Sequence, residues 1–335
     1  MFEKLTRTLV IAEIGNNHEG DMGAARAMVD AAAETGVDAV KFQTFIAEKF
    51  SAPSDPARFA RLKQFQLSFD QFAELADRAR AKGLKFLSTP LDLDSARFLD
   101  GIVDALKIAS GDNTFWPLIE FCAGTGKPMI ISTGISGRDE IQEAVDRVAA
   151  ARAAKGVTGD LALLHCIVSY PAPPEQANLG AIARLKAAFP QQTIGYSDHT
   201  IGLDAAVTAV AMGARIVEKH FTLANDYSDF RDHQLSANPA DMTTMVERIR
   251  AVEAMTGDGH LGTMDCEQDL VTPVRRSIAA ARDLPAGQVL TMDDIVWVRP
   301  GGGIAPGNEA DVLSKRLTTP VAAGSMILPD HLAEG

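Results

Sequence analysis

Short apolar runs that turn abruptly polar recur along this chain, and the polar ends carry its chemically active side chains. Arg215-Ile216-Val217-Glu218-Lys219-His220-Phe221-Thr222 is one, and Gly195-Tyr196-Ser197-Asp198-His199-Thr200 is another. Val10-Ile11-Ala12-Glu13-Ile14-Gly15-Asn16-Asn17-His18 and Ala39-Val40-Lys41-Phe42-Gln43-Thr44 follow the same grammar. A strand with a buried stem and a loaded C-terminal end is what an α/β barrel needs at its active face. Eight such strands are expected, at 8–15, 38–44, 85–89, 104–110, 128–133, 161–168, 193–198 and 215–221. Amphipathic helical stretches alternate with them at 23–35, 70–82, 137–153, 177–188, 203–212 and 240–255. Continuous apolar strands separated by helices imply a parallel sheet covered on its outer face. Eight units in about 255 residues match a closed (β/α)8 barrel. An open doubly wound sheet is the alternative, but no Gly-rich dinucleotide fingerprint follows the first strand.

The stretch 45–69, with Pro53 and Pro56, is too long for a simple connection and reads as a substrate-facing excursion or lid at the active end. After residue 256 the pattern changes. Gly257, Gly259 and Gly262 break the helix, and short strands and turns follow, such as Asp283-Leu284-Pro285-Ala286-Gly287. The expected division is a barrel over 1–262, a linker over 263–278 and a small, mainly β domain over 279–335. A domain that small is close to the lower limit for standing alone.

Charge removes several function classes. The net charge is −12, so a basic face for nucleic acid or an anionic membrane is not expected. No apolar run approaches the roughly 20 residues of a membrane span. The first residues run into a strand without a signal-peptide core, and the three isolated cysteines suggest a reducing compartment. The expectation is a cytoplasmic protein.

Lys41 and Lys107 each interrupt an apolar strand, and burying a lysine without a partner is costly. One such lysine reads as a structural ion pair. Two, on what read as neighbouring strand ends with Ser88, Thr89, Ser110, Ser132 and Thr133 nearby, read as a cradle for phosphate and carboxylate groups. A Schiff-base lysine is a third reading. His199 and His220 end the seventh and eighth strands, where barrel geometry can bring both imidazoles onto one divalent metal with positions left open. His18, His165 and His233 read as structural or substrate-facing. Glu13 ends the first strand as a candidate general base or hydroxyl ligand, and a salt bridge to Lys41 is compatible with either role. Strand alternation turns Asp198 away from His199, toward ordering a loop. Gly124-Thr125-Gly126-Lys127 lacks the full P-loop spacing and meets Pro128. Ser197-Asp198-His199 is contiguous, so it is no assembled triad.

Taken in order, Ala12-Glu13-Ile14-Gly15-Asn16-Asn17-His18-Glu19-Gly20, Val40-Lys41-Phe42-Gln43-Thr44, Ser88-Thr89-Pro90, Lys107-Ile108-Ala109-Ser110-Gly111, Ile131-Ser132-Thr133-Gly134, Leu164-His165-Cys166, Ser197-Asp198-His199-Thr200 and Glu218-Lys219-His220-Phe221-Thr222 resemble the sialic acid synthase family. The tail, with Trp297-Val298-Arg299-Pro300-Gly301, resembles its antifreeze-like (SAF) domain. The resemblance implies a transferase that condenses phosphoenolpyruvate with an amino-sugar aldehyde, N-acetylmannosamine or a related acylamino hexose. The product is a nine-carbon α-keto acid, and phosphate is released. It implies that Lys41, Thr89, Lys107, Ser110, Ser132 and Ser197 hold phosphoenolpyruvate. It assigns Mn²⁺ or Mg²⁺ to His199 and His220, and catalysis to Glu13. Gln43, Tyr170 and Asp232 match acceptor-side positions. Arg299 matches an arginine that reaches the acceptor from a partner chain, implying a domain-swapped homodimer.

Three positions depart from the resemblance. Asp112 stands where a glutamate is usual, and shortens a carboxylate by one methylene. Val168 replaces an asparagine or serine, and Asp229-Phe230-Arg231-Asp232-His233 replaces Pro-Gly-Pro-Asp. Arg231 and His233 are thereby expected to meet a different or more acidic acceptor. The alternatives are a synthase of another 3-deoxy-2-ulosonic acid from a different aldose, a Schiff-base aldolase, and a non-catalytic sugar-binding relative.

Overall fold

The computed structural model describes residues 1–333. The chain divides into two compact units, Met1–Gly257 and the residues from Asp258 onward.

Eight parallel strands close the first unit into a barrel in the order β1 to β8. They are β1 (Leu9–Gly15), β2 (Ala39–Thr44), β3 (Lys85–Pro90), β4 (Ala105–Ile108), β5 (Met129–Ser132), β6 (Leu161–Cys166), β7 (Thr193–Asp198) and β8 (Ile216–His220). Closure is visible in β1, which pairs with β2 on one side and with β8 on the other. The connections are helical: α1 (Met22–Ala33) after β1, then α2 (Ala47–Phe50), α3 (Pro56–Phe65) and α4 (Phe69–Ala81) after β2. Next come α5 (Leu93–Asp100), α6 (Trp116–Gly124), α7 (Arg138–Lys155), α8 (Ala181–Ala188) and α9 (Asp204–Ala211), one after each strand from β3 to β7. The short α10 (Asp232–Leu235) and the long α11 (Pro239–Thr256) follow β8.

The helices obey local rules. Ser68 and Gln71 form a reciprocal capping box at the start of α4. That helix then buries Phe72, Leu75, Ala76 and Ala79, spaced 3 and 4 apart, which is one face of a 3.6-residue period. These side chains join Val10, Val40, Phe42 and Phe86 in the core between strands and helices.

Inside the barrel the opposite face of each strand builds a second core. Its floor is Leu9, Ile11, Ala39, Leu87, Ala105, Ile130, Ala162, Leu164 and Ile216. Gly195 of β7 belongs to this floor because nothing larger fits. A Cβ there would lie 2.4 Å from Leu164 Cδ2 and 2.5 Å from the Ile216 carbonyl oxygen. One pleat higher, the inward positions become polar: Glu13 follows Ile11, Lys41 follows Ala39, Thr89 follows Leu87, and Lys107 follows Ala105. A period of two carries each strand from the apolar floor to the active face.

The stretch 45–69 contributes two helices rather than a structureless loop. Gly20, at φ +84°, brings the β1 loop so close to it that a Cβ would meet the Gln64 carbonyl oxygen at 2.0 Å. No helix among the described residues is long and apolar enough to cross a membrane.

The second unit carries the helix α12 (Val271–Val274) and an antiparallel pair, β9 (Ser277–Ala280) and β10 (Ile295–Val298). Its own core includes Ile278, Leu284, Leu290, Ile295, Val312, Leu317 and Ile327. The fold is thus an eight-stranded barrel followed by a small, mainly β domain.

Candidate active site

The strand ends open into a cavity of about 1160 Å³. Its base is a charged network. Lys41 Nζ lies 2.8 Å from Glu13 Oε2 and 3.6 Å from Glu218 Oε2, and donates to Thr89 Oγ1 at 3.2 Å. Lys107 Nζ donates to Ser132 Oγ at 2.7 Å and to the Ile108 carbonyl at 3.2 Å, and lies 4.0 Å from Glu218 Oε1. Ser197 Oγ donates to the same Glu218 oxygen at 2.9 Å. All of these residues are buried.

Burial and pairing act differently on each charge. Burial pulls Lys41 down, but Glu13 and Glu218 together outweigh it and hold the ammonium above its usual range. Burial wins at Lys107, which is lowered despite Glu218. Burial raises Glu13 against the opposing pull of Lys41, whereas Lys107 and Lys41 overcome burial at Glu218 and lower it. The base therefore holds one firmly charged lysine, one loosely held lysine and a carboxylate with a raised proton affinity.

The two histidines stand beside this network with ring centroids 5.4 Å apart. His199 Nδ1 lies 2.7 Å from the Ile167 carbonyl oxygen, which can only accept, so Nδ1 carries the proton and Nε2 presents its lone pair. His220 Nδ1 is buried with no hydrogen-bond partner and lies 4.0 Å from Asp232 Oδ2. Burial lowers both imidazoles, His220 strongly, so both rings are neutral. Among the described residues no group of three or more His, Cys, Asp or Glu side chains converges as a metal site. Two neutral imidazoles, one with an orphaned ring nitrogen, fit a divalent cation whose other positions are filled by water or substrate.

Further out, Gln43 Nε2 donates to Glu13 Oε1 at 3.3 Å, and the Tyr170 ring lies 4.1 Å from that of His199. Arg231 places its guanidinium 4.8 Å from the Tyr170 ring centroid and its Nε 3.3 Å from Asp232 Oδ1. Ser110 and Asp112 line the cavity, and Ser110 Oγ accepts from the Gly134 N–H at 3.1 Å. Burial raises Asp112 to about 6 against the pull of Lys107. Helix α3 supplies Arg58, Arg61 and Gln64 to the cavity wall. Arg299 lies in the second unit, exposed just after β10.

Three expectations need correction. Lys41 and Lys107 are not on neighbouring strands, because β3 lies between β2 and β4; alternate strands fill one layer of a barrel, which is how the two ammoniums share one base. Ser88 and Thr133 are not part of the cradle. Ser88 faces outward to the Phe42 carbonyl and Thr44, and Thr133 Oγ1 donates to the Leu164 carbonyl. His233 cannot meet an acceptor. It is fully buried, with Nδ1 2.7 Å from Thr222 Oγ1 and Nε2 3.0 Å from Glu19. Asp198, by contrast, orders a loop as alternation implies, accepting from the Thr200 N–H and hydroxyl. Reasoning from sequence missed Glu218 as a site residue. Counting back two from the inward His220 puts it on the same face.

The profile of the NeuB family matches residues 28–261, and that of the SAF domain matches residues 275–333. An N,N'-diacetyllegionaminic acid synthase of Legionella pneumophila is 38% identical, over 96% of this chain and 94% of its own. A protein of the same name from Campylobacter jejuni is 35% identical, over 94% and 97%. The crystal structure of an N-acetylneuraminic acid (sialic acid) synthetase from Leptospira borgpetersenii, in complex with citrate, superimposes with a TM-score of 0.75 at 33% identity. It covers 79% of this chain and 90% of that one.

Proposed function

Since this chain belongs to the NeuB family and is a carbon–carbon bond-forming transferase, we propose that it joins phosphoenolpyruvate to an acylamino-hexose aldehyde. The product is a nine-carbon 3-deoxy-2-ulosonic acid of the sialic type. The observation that carries the reading is the base of the cavity, where two buried ammoniums and a ring of hydroxyls stand beside two neutral imidazoles.

A small trianion needs fixed positive charge in a dry site, and Lys41 and Lys107 supply it. Thr89 and Ser132 already accept from these ammoniums and Ser197 donates to Glu218, so the three hydroxyls are oriented before substrate arrives. Ser110 stands beside them, its hydroxyl held by the Gly134 N–H. His199 and His220 would hold a Mn²⁺ or Mg²⁺ ion, which would supply Lewis-acid polarisation of the aldehyde oxygen. In the overall change C3 of phosphoenolpyruvate bonds to the aldehyde carbon, water adds at C2, and phosphate leaves by C–O cleavage. The balance is one phosphoenolpyruvate, one aldehyde and one water to one ulosonic acid and one phosphate. Glu13, whose proton affinity burial raises, is placed to take the proton of the incoming water. Gln43, Tyr170, Asp112, Asp232 and Arg231 face the acceptor, and the reading extends to Arg299 supplied by a second copy of the chain.

The test is phosphate release from phosphoenolpyruvate with Mn²⁺, followed by mass spectrometry of the product. The acceptors are N-acetylmannosamine, diacetamido-trideoxyhexoses, and phosphorylated pentose and tetrose. Metal-dependent release with an acylamino hexose, lost in His220→Ala, supports the reading. Release only with a phosphorylated aldose replaces it with the other synthase class. Full activity of metal-free His220→Ala overturns the metal role.

A further inference from the structure

Behind the two histidines, on the outer side of the barrel, lies a second buried charge pair that the chemistry above does not use. Asp198 immediately precedes His199, and Lys219 immediately precedes His220. They are opposite one another in the β7–β8 register. Alternation that turns His220 inward turns Lys219 outward, and likewise Ser197 inward and Asp198 outward. Lys219 Nζ donates to Asp198 Oδ2 at 2.9 Å, and the two side chains are 1% and 0% exposed.

The contacts do more than join two strands. Lys219 Nζ also donates to the Thr200 carbonyl at 2.5 Å, while Asp198 Oδ1 accepts from the Thr200 N–H at 2.8 Å and the Thr200 hydroxyl at 2.8 Å. Tyr196 Oη donates to the same carboxylate oxygen at 3.2 Å. The backbone is therefore held on both sides of Thr200, directly after His199. His199 lies one residue beyond the end of β7, where the ladder no longer fixes it.

A buried ion pair is weak as a source of net stability, because desolvation offsets its attraction. Its effect here is geometric. Lys219 sits on the segment that carries His220 and grips the segment that carries His199. We propose that Asp198 and Lys219 are positioning residues that set the separation and aim of the two imidazoles for a shared divalent cation. The inference rests on the metal reading above.

The experiment is Mn²⁺ titration of the full chain by electron paramagnetic resonance, with phosphoenolpyruvate affinity and the melting temperature measured alongside. The variants are Lys219→Met, which strands the carboxylate, and the double variant Asp198→Asn with Lys219→Met, which removes both charges and stays foldable if the first does not. Lys219→Arg tests rescue. The expected result is Mn²⁺ affinity weakened by about 10-fold or more in the double variant, the size typical for partners that orient ligands. Metal-free phosphoenolpyruvate affinity should change little, and Lys219→Arg should recover part of the loss. A folded double variant with wild-type Mn²⁺ affinity overturns the proposal. So does an equal loss of both ligands, which would mark general loosening of the barrel. A wild-type chain that binds no Mn²⁺ overturns the metal reading itself, and this inference with it.

Discussion

The two buried lysines should respond unequally when each is replaced by methionine, which keeps the apolar stem and removes the charge. Lys41 lies 2.8 Å from one carboxylate and 3.6 Å from another. At an effective dielectric of about 20 those separations correspond to roughly 6 and 5 kcal/mol of attraction, more than the several kcal/mol that desolvating one ion costs. Lys107 has its nearest carboxylate at 4.0 Å, worth about 4 kcal/mol on the same scale, so desolvation is not outweighed. The signs agree with proton affinity, which is raised at Lys41 and lowered at Lys107. Lys41→Met leaves Glu13 and Glu218 buried against each other without the cation between them, and should destabilise the chain by about 3–5 kcal/mol. Lys107→Met should cost less than about 1 kcal/mol, because the charge it deletes is held at a loss. Both should weaken phosphoenolpyruvate binding by roughly 1.5–3 kcal/mol, the worth of a hydrogen bond to a charged group, or about 10- to 200-fold. Urea unfolding of the ligand-free chain measures the first quantity, and isothermal titration with phosphoenolpyruvate the second. If Lys107→Met is as unstable as Lys41→Met and still binds phosphoenolpyruvate normally, Lys107 is a structural charge and the cradle argument fails.

Other substitutions test separate parts of the site. Gly195→Ala should lower stability by about 1–3 kcal/mol through overpacking, since its Cβ meets backbone as well as Leu164; an unchanged urea midpoint would show that the barrel floor yields. Asp112 is raised to about 6 by burial, so its contribution to stability is complete below its unfolded value of 3.8 and is lost as pH rises through about 6. Asp112→Asn should flatten the stability–pH curve between pH 4 and 6, about the span of that shift, and parallel wild-type and variant curves would contradict this. His233→Ala cuts the link from Thr222 to Glu19 in the short helix α10, which begins at Asp232 just after Arg231. It should raise the acceptor KM several-fold and leave phosphoenolpyruvate affinity unchanged, and a larger effect on phosphoenolpyruvate would place this segment elsewhere in the reaction.

What sequence could and could not say about this site follows from the pleat. A run such as Ile11-Ala12-Glu13 declares a strand, because apolar length and a polar end are local properties. The facing of each side chain also lies in the run, once a single position is anchored. With Leu87 on the barrel floor, Thr89 must face the cavity and Ser88 must face the helices. Without that anchor the adjacent hydroxyls look equivalent, and Ser88 and Thr133 read as part of the cradle. Glu218 is hidden for a related reason: Glu218-Lys219 reads as one charged pair, whereas the pleat sends the two charges to opposite sides of the sheet. One joins Lys41 and Lys107 in the lumen, and the other joins Asp198 in the outer core. No local pattern reveals that β2 and β4 share a layer, since that depends on closure of all eight strands. The buried position of His233 is equally non-local, because its partners Thr222 and Glu19 come from loops after β8 and β1. Strand ends and residue types were therefore readable one segment at a time, while the pairing of charges required the closed barrel. The reaction class depends on the first kind of information. The shape of the cavity wall depends on the second, because residues from the loops after β1, β2, β4, β6 and β8 assemble it.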